Sequence, residues 1–184
     1  MTIPVRADAE KAGPSEQRRL AAALTQHFAL VWRSLRRFGV PEADVDDAAQ
    51  LAFLTLSQRL GAVPPGSERA FLLGTAARLA ANHRRKVRRR PEDLDAELEQ
   101  RASHRLDPEA AMQAKERRAL LDQGLELLPF EQRTIFVLFE LEGFSLPEIA
   151  GELAIPLGTA TSRLRRAREK FEAWANSQPP GAPP

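Results

Sequence analysis

The chain has 184 residues, three histidines and no cysteine, which suffices for one ordinary domain or two small ones. The lack of cysteine excludes disulfides, thiolate metal sites and a cysteine nucleophile. No apolar run approaches the ~18 residues that a membrane span needs, and the N-terminus lacks the apolar segment of a signal peptide. We therefore expect a cytoplasmic protein with no membrane insertion.

The formal net charge of +2 is the sum of strongly segregated blocks. Residues 67–90 carry eight basic side chains and one acidic one, whereas residues 91–109 carry seven acidic and two basic ones. Such segregation is typical of separate surfaces for separate partners. We expect at least one of these partners to be a polyanion.

The prolines divide the chain into helical segments. Alanine and leucine dominate the composition and tyrosine is absent, which favours helix over strand. Because proline starts or stops helices, the fourteen prolines predict helices at 15–38, 42–60, 67–90, 109–128, 130–141, 146–154 and 158–175. Ser15 is the expected N-cap of the first helix.

The acidic segment 91–108 has few large apolar residues and predicts a flexible linker. The expected fold class is therefore all-α, with two small helical domains at 15–90 and 109–176 joined by this linker. The ends, at 1–14 and 177–184, are expected to be disordered.

The second domain contains the pattern of a helix-turn-helix. A short helix with the small residue Ala150 is followed by a turn at 154–157 and a second helix opening at Gly158. At about 100° per residue, four apolar residues share one face of that helix, namely Ala160, Leu164, Ala167 and Phe171. Thr161, Ser162, Arg165 and Arg166 lie on or beside the opposite face, where they can read bases in a major groove. Arg163 and Arg168 lie at the edges, where they suit phosphates.

The same segment resembles region 4 of bacterial RNA polymerase sigma factors of the extracytoplasmic-function (ECF) class. The resemblance is carried by LPFEQR at 128–133, EGFS at 142–145, EIA at 148–150 and GTATSRLRRAR at 158–168. It implies that this domain reads the minus-35 promoter element and touches the β-flap of the polymerase. The minus-35 residues it implies are Thr159, Thr161, Ser162, Arg163, Arg165 and Arg166.

Residues 44–54, DVDDAAQLAFL, are similar to a string in region 2 of the same class. The similarity implies that this helix docks on the β′ coiled coil of the polymerase through Asp46, Asp47 and Gln50. Without it, an acidic first turn is explained simply by the helix dipole.

Residues 71–85 resemble the region 2 helix that handles the minus-10 element, which implies DNA-binding roles for Arg78, Asn82, Arg84 and Arg85. The chain departs from the family pattern at three positions: Phe71 replaces the usual Trp, Gly74 the following Arg, and Arg78 the usual Asn. In this family the base extruded from the minus-10 strand is read by the preceding loop, here residues 61–67.

The resemblance identifies an ECF-type sigma factor that binds core RNA polymerase and promoter DNA and is regulated by an anti-sigma factor. No catalytic residue, metal or cofactor is expected. The alternative is a stand-alone helix-turn-helix repressor or activator, which would need two recognition helices about 34 Å apart, and no heptad or apolar seam for dimerisation is present. A helical enzyme is disfavoured because neighbouring carboxylates such as Asp46 and Asp47 point about 100° apart on a helix, and no phosphate loop or nucleophile motif occurs.

Overall fold

The structure, a computed structural model, describes residues 13–89 and 108–178. Within these ranges the regular elements are helices and no strand occurs, so the all-α prediction is confirmed. The predicted linker at 91–108 lies outside the described residues except for Pro108, as do the two ends except for residues 13, 14, 177 and 178.

Seven α-helices follow one another along the described chain. They are α1 (Pro14–Arg37), α2 (Glu42–Arg59), α3 (Glu68–Arg89), α4 (Pro108–Glu126), α5 (Phe130–Phe136), α6 (Leu146–Leu153) and α7 (Leu157–Ala175). A 3-10 turn at Leu60–Ala62 extends α2, and a π-helical segment at Val137–Leu141 extends α5.

Two of the predicted helix boundaries were wrong in an instructive way. The N-cap of α1 is Gly13 and not Ser15, because Pro14 fits the first helical turn, where its missing N–H is not needed. The helix predicted over 130–141 is α-helical only to Phe136, and beyond it the turns widen to a π-helix. The widened segment ends at Leu141, and two residues later Gly143 has a φ of +71°, which is accessible to glycine without strain.

Helices α1, α2 and α3 pack against one another in the N-terminal half. Their apolar residues recur at helical spacing, so that one stripe of each helix turns inward. The large aliphatic side chains that this stripe buries completely include Val31, Leu35, Val45, Leu56 and Leu72. Each such aliphatic residue stabilises the fold by roughly 1.5–3 kcal/mol relative to exposure.

Helices α5, α6 and α7 form the centre of the C-terminal half, and α4 packs against the end of α7. The approach of α4 depends on Gly124, since a Cβ there would lie 2.5 Å from the indole of Trp174 and 2.6 Å from the ring of Phe171. The Phe171 ring also packs on Phe136, with centroids 4.8 Å apart. These contacts fix the C-terminal end of α7 on the domain.

The two halves are in direct contact. Helix α3 packs against α6, and the buried apolar residues of both halves belong to one contiguous cluster. The two-domain organisation expected from the sequence thus appears as two helical units joined by an extensive interface.

Candidate nucleic-acid interface

Helix α6 and helix α7 form the helix-turn-helix. Ser145 caps α6 in a capping box: its hydroxyl accepts from the Glu148 backbone N–H, and the Glu148 carboxylate accepts from the Ser145 N–H at 2.8 Å. The hydrogen bonds from Ser145 hold the pKa of Glu148 below its usual value. Ala154, at φ +52°, reverses the chain, and Pro156 precedes the first turn of α7. The predicted turn between two helices is present.

Helix α7 has the two faces that its sequence predicts. Ala160, Leu164 and Ala167 are buried, and they hold the helix on the domain. Thr161, Arg165 and Arg166 are exposed, and Thr159, Ser162 and Arg163 are half-buried. The six predicted minus-35 residues therefore extend along the first three turns of α7. Three of them, Thr161, Arg165 and Arg166, are fully accessible to a DNA partner.

The polar groups of this face are available to DNA to different degrees. The hydroxyls of Thr161 and Ser162 donate to backbone carbonyls of α7, at 2.9 and 3.0 Å, so their lone pairs still face outward as acceptors. Arg165 pairs with Glu169 one turn along, an exposed contact worth only a few tenths of a kcal/mol. Arg166 has no ion-pair partner among the described residues.

Arg168, expected at the phosphate edge, has a structural partner instead. Its guanidinium donates to Glu140 at 2.6 Å and lies 5.1 Å above the Phe139 ring. This pair ties α7 to the π-helical segment. Arg168 thus anchors α7 to the domain, whereas Arg165 and Arg166 remain exposed.

The acidic face of α2 lies on the other half of the molecule. Asp46, Asp47 and Gln50 are exposed, as the docking prediction requires. The indole N–H of Trp32 in α1 donates to Asp46 Oδ1 at 2.8 Å, which fixes the orientation of that carboxylate.

Two exposed leucines complete the α2 face and were missed from the sequence. Leu51 and Leu54 are about half exposed, at 46% and 49%, and at about 100° per residue they share the outward side with Asp47 and Gln50. The helical periodicity of the sequence could have indicated their exposure, since both leucines lie opposite the buried stripe of α2. The combination of leucines, carboxylates and an amide is typical of a protein-binding surface rather than of a DNA-binding one.

The predicted minus-10 residues are not brought together as one set. Arg78, Asn82 and Arg85 follow one side of α3, and the Asn82 side-chain oxygen accepts from Arg85 at 2.6 Å. Arg78 donates to the backbone carbonyl of Glu152 in α6 at 2.7 Å. Arg84 lies on another side, 3.8 Å from the Glu131 carboxylate. Two of the four residues therefore contact the C-terminal half.

The loop between α2 and α3 is held by a network that the sequence did not indicate. Arg19 of α1 donates to the carbonyl of Val63 at 2.9 Å and to the Glu68 carboxylate at 2.9 and 2.5 Å. Glu68 also accepts from the Gly66 N–H at 2.7 Å. Burial acts to raise the pKa of Glu68, but the hydrogen bonds from Arg19 and the backbone outweigh it, so this pKa lies below its usual value.

The described ranges contain neither a metal-binding cluster nor a membrane-spanning helix. Residues 13–89 and 108–178 contain no group of three His, Asp or Glu side chains arranged to hold a metal ion. No helix in the same ranges combines the length and apolar character required to cross a bilayer.

Two sigma-factor families match the chain, each over one of its halves. The family described as Sigma-70 region 2 matches residues 23–90, and the family described as Sigma-70, region 4 matches residues 118–171. The first match covers α2, the loop and α3, and the second covers the helix-turn-helix. The fold and these surfaces thus define the class of promoter-recognition factors built from sigma regions 2 and 4.

Curated relatives narrow the class. The chain is 34% identical over 145 residues to the RNA polymerase sigma-H factor of Pseudomonas aeruginosa, covering 74% of this chain and 75% of that one. It is 34% identical over 142 residues to the ECF RNA polymerase sigma-E factor of Escherichia coli K12, covering 72% and 74%. The chain belongs to the ECF family of RNA polymerase sigma factors, which direct promoter recognition in transcription initiation.

A solved structure with the same fold is that of the sigma factor RpoE from Bartonella quintana in complex with the anti-sigma factor NepR. It superimposes with a TM-score of 0.64, over 86% of this chain and 98% of that one, at 18% identity. The arrangement of helices is therefore shared although most side chains differ.

Proposed function

We propose that three surfaces divide the work of this sigma factor: the outward face of α2 docks on core RNA polymerase, α3 contacts the minus-10 element, and α7 reads the minus-35 element. The observation that carries the proposal is the division of α7 into two faces. Ala160, Leu164 and Ala167 of its apolar stripe are buried, while Arg165 and Arg166 are exposed to solvent. A helix held in this way can enter a major groove without rearrangement.

At the minus-35 element, the two arginines are the candidates for base reading. An arginine that donates both N–H groups to guanine O6 and N7 discriminates against the wrong base by about 1–3 kcal/mol. Thr161 and Ser162 lie one turn closer to the start of α7 and offer hydroxyl acceptors to neighbouring bases or phosphates. Arg163 and Thr159 are half-buried and suit the DNA backbone.

At the polymerase, the α2 face combines Asp46, Asp47 and Gln50 with Leu51 and Leu54. The carboxylates attract a basic partner surface and speed the encounter, and the leucines supply apolar area whose burial retains the complex. A basic helical partner with its own apolar residues fits this face, in agreement with the β′ coiled coil that the family resemblance implies.

At the minus-10 element, Asn82 and Arg85 lie exposed on one side of α3, in line with Arg78. The basic charge of residues 84–90 suits the backbone of a single strand. The loop that leads into α3 is braced by Arg19 and Glu68 and supports the expected pocket for an extruded base.

Regulation by an anti-sigma factor completes the proposal. The Bartonella neighbour was solved with such a factor, and a partner covering both the α2 face and the α7 face would stop promoter recognition at two steps. We place this activity in the cytoplasm, and the chain itself is not an enzyme.

The experiment that tests the α7 assignment is transcription in vitro with core polymerase on promoters randomised at the upstream element. Arg165→Ala and Arg166→Ala are compared with the wild type, and Lys170→Ala, an exposed residue farther along the same helix, is the matched control for loss of one charge. We expect a changed upstream preference for at least one arginine variant and none for Lys170→Ala. An unchanged preference in both arginine variants would remove them from base reading.

The same experiment distinguishes a sigma factor from the alternative, a stand-alone helix-turn-helix repressor or activator. A repressor or activator would bind specific duplex DNA without polymerase and would add no new start site. A sigma factor gives specific initiation only together with the core enzyme.

A further inference from the structure

One flank of α7 is joined to the π-helical segment by a single polar contact. Arg168 Nε donates to Glu140 Oε1 at 2.6 Å, and the guanidinium lies 5.1 Å from the centre of the Phe139 ring. The Glu140 side chain is 31% exposed and the Arg168 side chain 46%. Among the ion pairs of the described side chains, this is the only one that links α7 to another element.

An open cleft lies beside this contact. Its volume is about 340 Å³, and Phe139, Leu146 and Leu164 line it together with polar side chains of α7. Close packing, which fixes orientation in a protein interior, is therefore interrupted on this side of the helix. Arg168 lines the same cleft, so its contacts with Glu140 and Phe139 join one wall to the other.

The π-helical segment determines where Glu140 lies. The Glu142 N–H donates to the Val137 carbonyl, five residues earlier, at 3.0 Å. This bond places an extra residue in the turn, so the side chains around it are rotated relative to a continuous α-helix. Such turns are rare and occur frequently at functional sites. The widened turn, which the sequence did not predict, therefore supplies the carboxylate that holds Arg168.

Arg168 lies on the same side of α7 as two residues that we assign to the minus-35 element. At about 100° per residue, it is roughly 60° from Arg165 and roughly 20° from Thr161 around the helix axis. Both of these residues are exposed. A contact at position 168 consequently fixes the rotation of α7 close to the side chains that face DNA.

We propose that Glu140 is a positioning residue for base reading: acting through Arg168, it fixes the rotation of α7 and thereby the place at which Arg165 meets the minus-35 element. The inference rests on the proposed role of α7 in reading that element. It assigns Arg168 to a protein partner instead of a DNA phosphate, and it gives the π-helical segment a part in sequence specificity.

Small rotations of α7 are enough to lose a base contact. A rotation by ~20° moves a group at the helix surface, ~6 Å from the axis, by ~2 Å. Hydrogen bonds to a base edge form over donor–acceptor distances that span only about 0.5 Å. Attraction to a phosphate is less demanding, because it falls slowly with distance. Loosening α7 should therefore reduce discrimination between bases more than it reduces the affinity for DNA.

The contact contributes little to the stability of the fold. Both side chains of the pair are partly exposed, and such pairs are weak because water screens the charges and ordering the side chains costs entropy. Ala160, Leu164 and Ala167 are buried and already hold α7 on the domain. Loss of the pair should therefore leave the fold in place and change how precisely α7 is oriented.

Promoter competition with the holoenzyme tests this role. Core polymerase with wild type, Glu140→Gln, Arg168→Gln or the double variant transcribes a promoter that the wild type selects from the randomised pool, in competition with copies carrying one upstream substitution each. We expect each single variant to lower the preference for the selected promoter about fivefold, the low end of what one arginine–guanine contact contributes. The double variant should lose no more than either single variant, because both act through one contact.

Charge-matched controls lie on α7 itself. Glu172→Gln and Lys170→Gln each remove one charge at an exposed position of this helix and should keep the wild-type preference. Arg168→Lys keeps the charge but loses the planar guanidinium, so its preference should fall. The thermal midpoints should stay within about 4 °C of the wild type. A larger loss of stability in Glu140→Gln and Arg168→Gln would assign the pair to the fold and overturn the positioning role.

The salt dependence of promoter binding distinguishes positioning from a phosphate contact. We expect Arg168→Gln to keep the wild-type slope of log affinity against log salt. If Arg168 bound a phosphate, this slope would decrease by about 0.9 and all promoters would be weakened alike, while Glu140→Gln would keep its discrimination. That pattern would overturn the inference.

Failure of this inference and failure of the proposed function give different results. If Arg165→Ala or Arg166→Ala changes the upstream preference whereas Glu140→Gln and Arg168→Gln do not, the positioning role alone is wrong. If none of the four variants changes the preference, base reading by α7 is wrong and the inference falls with it.

Discussion

The indole N–H of Trp32 donates to Oδ1 of Asp46 across 2.8 Å, and this bond joins α1 to the N-terminal part of α2, the helix proposed to dock on the polymerase. Asp46 is exposed, and without a donor its carboxylate would sample several rotamers. A fixed carboxylate loses less conformational entropy when a partner binds. The tryptophan is therefore expected to act as a positioning residue for the proposed docking surface.

Trp32→Phe removes the N–H and keeps most of the apolar ring. We expect the affinity for core polymerase to fall about 3- to 10-fold, since a single hydrogen bond contributes roughly 1 kcal/mol, while the thermal midpoint changes little. Fluorescence titration of labelled chain with core enzyme measures the affinity. If Asp46→Asn is combined with Trp32→Phe, the two losses should not add, because both act through one carboxylate. Additive losses would show that Trp32 acts by another route.

Charge reversal on α2 tests the docking surface more severely. Asp46→Lys with Asp47→Lys places repulsion where attraction is expected, which affects association more than simple deletion. We expect holoenzyme formation to fall at least tenfold, and the fold to persist because both side chains are exposed. Glu172→Lys, an exposed reversal on α7, is the control. Holoenzyme formation at wild-type affinity by the double variant would show that α2 is not the docking helix.

The Arg19–Glu68 network predicts a dependence of stability on pH. The pKa of Glu68 is lower in the folded chain than its usual 4.5, so its ionised form stabilises the fold above that pH. This contribution is lost as the pH falls through the folded-state pKa. Glu68→Gln should therefore cost about 1–2 kcal/mol near neutral pH and progressively less as the pH falls below 4.5. A difference between variant and wild type that stays constant across this acid range would contradict the account.

The capping box of α6 predicts a local effect on the helix-turn-helix. Ser145→Ala removes the N-cap hydroxyl and should destabilise the chain by about 1 kcal/mol, measured by denaturant unfolding. Ser57→Ala, at an exposed serine that donates to the carbonyl of Leu54, should change stability by less than about 0.5 kcal/mol. Equal losses of unfolding free energy for the two substitutions would show that the capping box does not stabilise the fold more than an ordinary exposed serine does.

Much of the fold follows from local sequence signals. Prolines at 41, 108, 129 and 156 lie beside or at the start of helices, and the spacing of Ala160, Leu164 and Ala167 predicts which face of α7 is buried. These features depend on residues a few positions apart, whose geometry the helix itself determines. The family resemblance then supplied the roles that periodicity alone leaves open.

The interface between the halves could not be predicted in the same way. Arg37 and Glu142 are 105 residues apart, and no local pattern indicates that a charged residue at the end of a π-helical segment is buried. The pairing of Arg78 with a backbone carbonyl of α6 depends on Gly74, which in sequence was only a departure from the family pattern. Sequence reasoning treated Arg78 and Arg84 as free for DNA, and the structure gives both of them protein partners.

The most direct test of the central claim is transcription in vitro from fragmented genomic DNA of the source organism, by core polymerase alone and by core polymerase with the purified chain, with the RNA 5′ ends sequenced. The account predicts new start sites that appear only when both are present and that share two upstream sequence elements, one near position −10 and one near position −35. An unchanged set of start sites on adding the chain, together with specific binding of the chain to duplex DNA without polymerase, would contradict it.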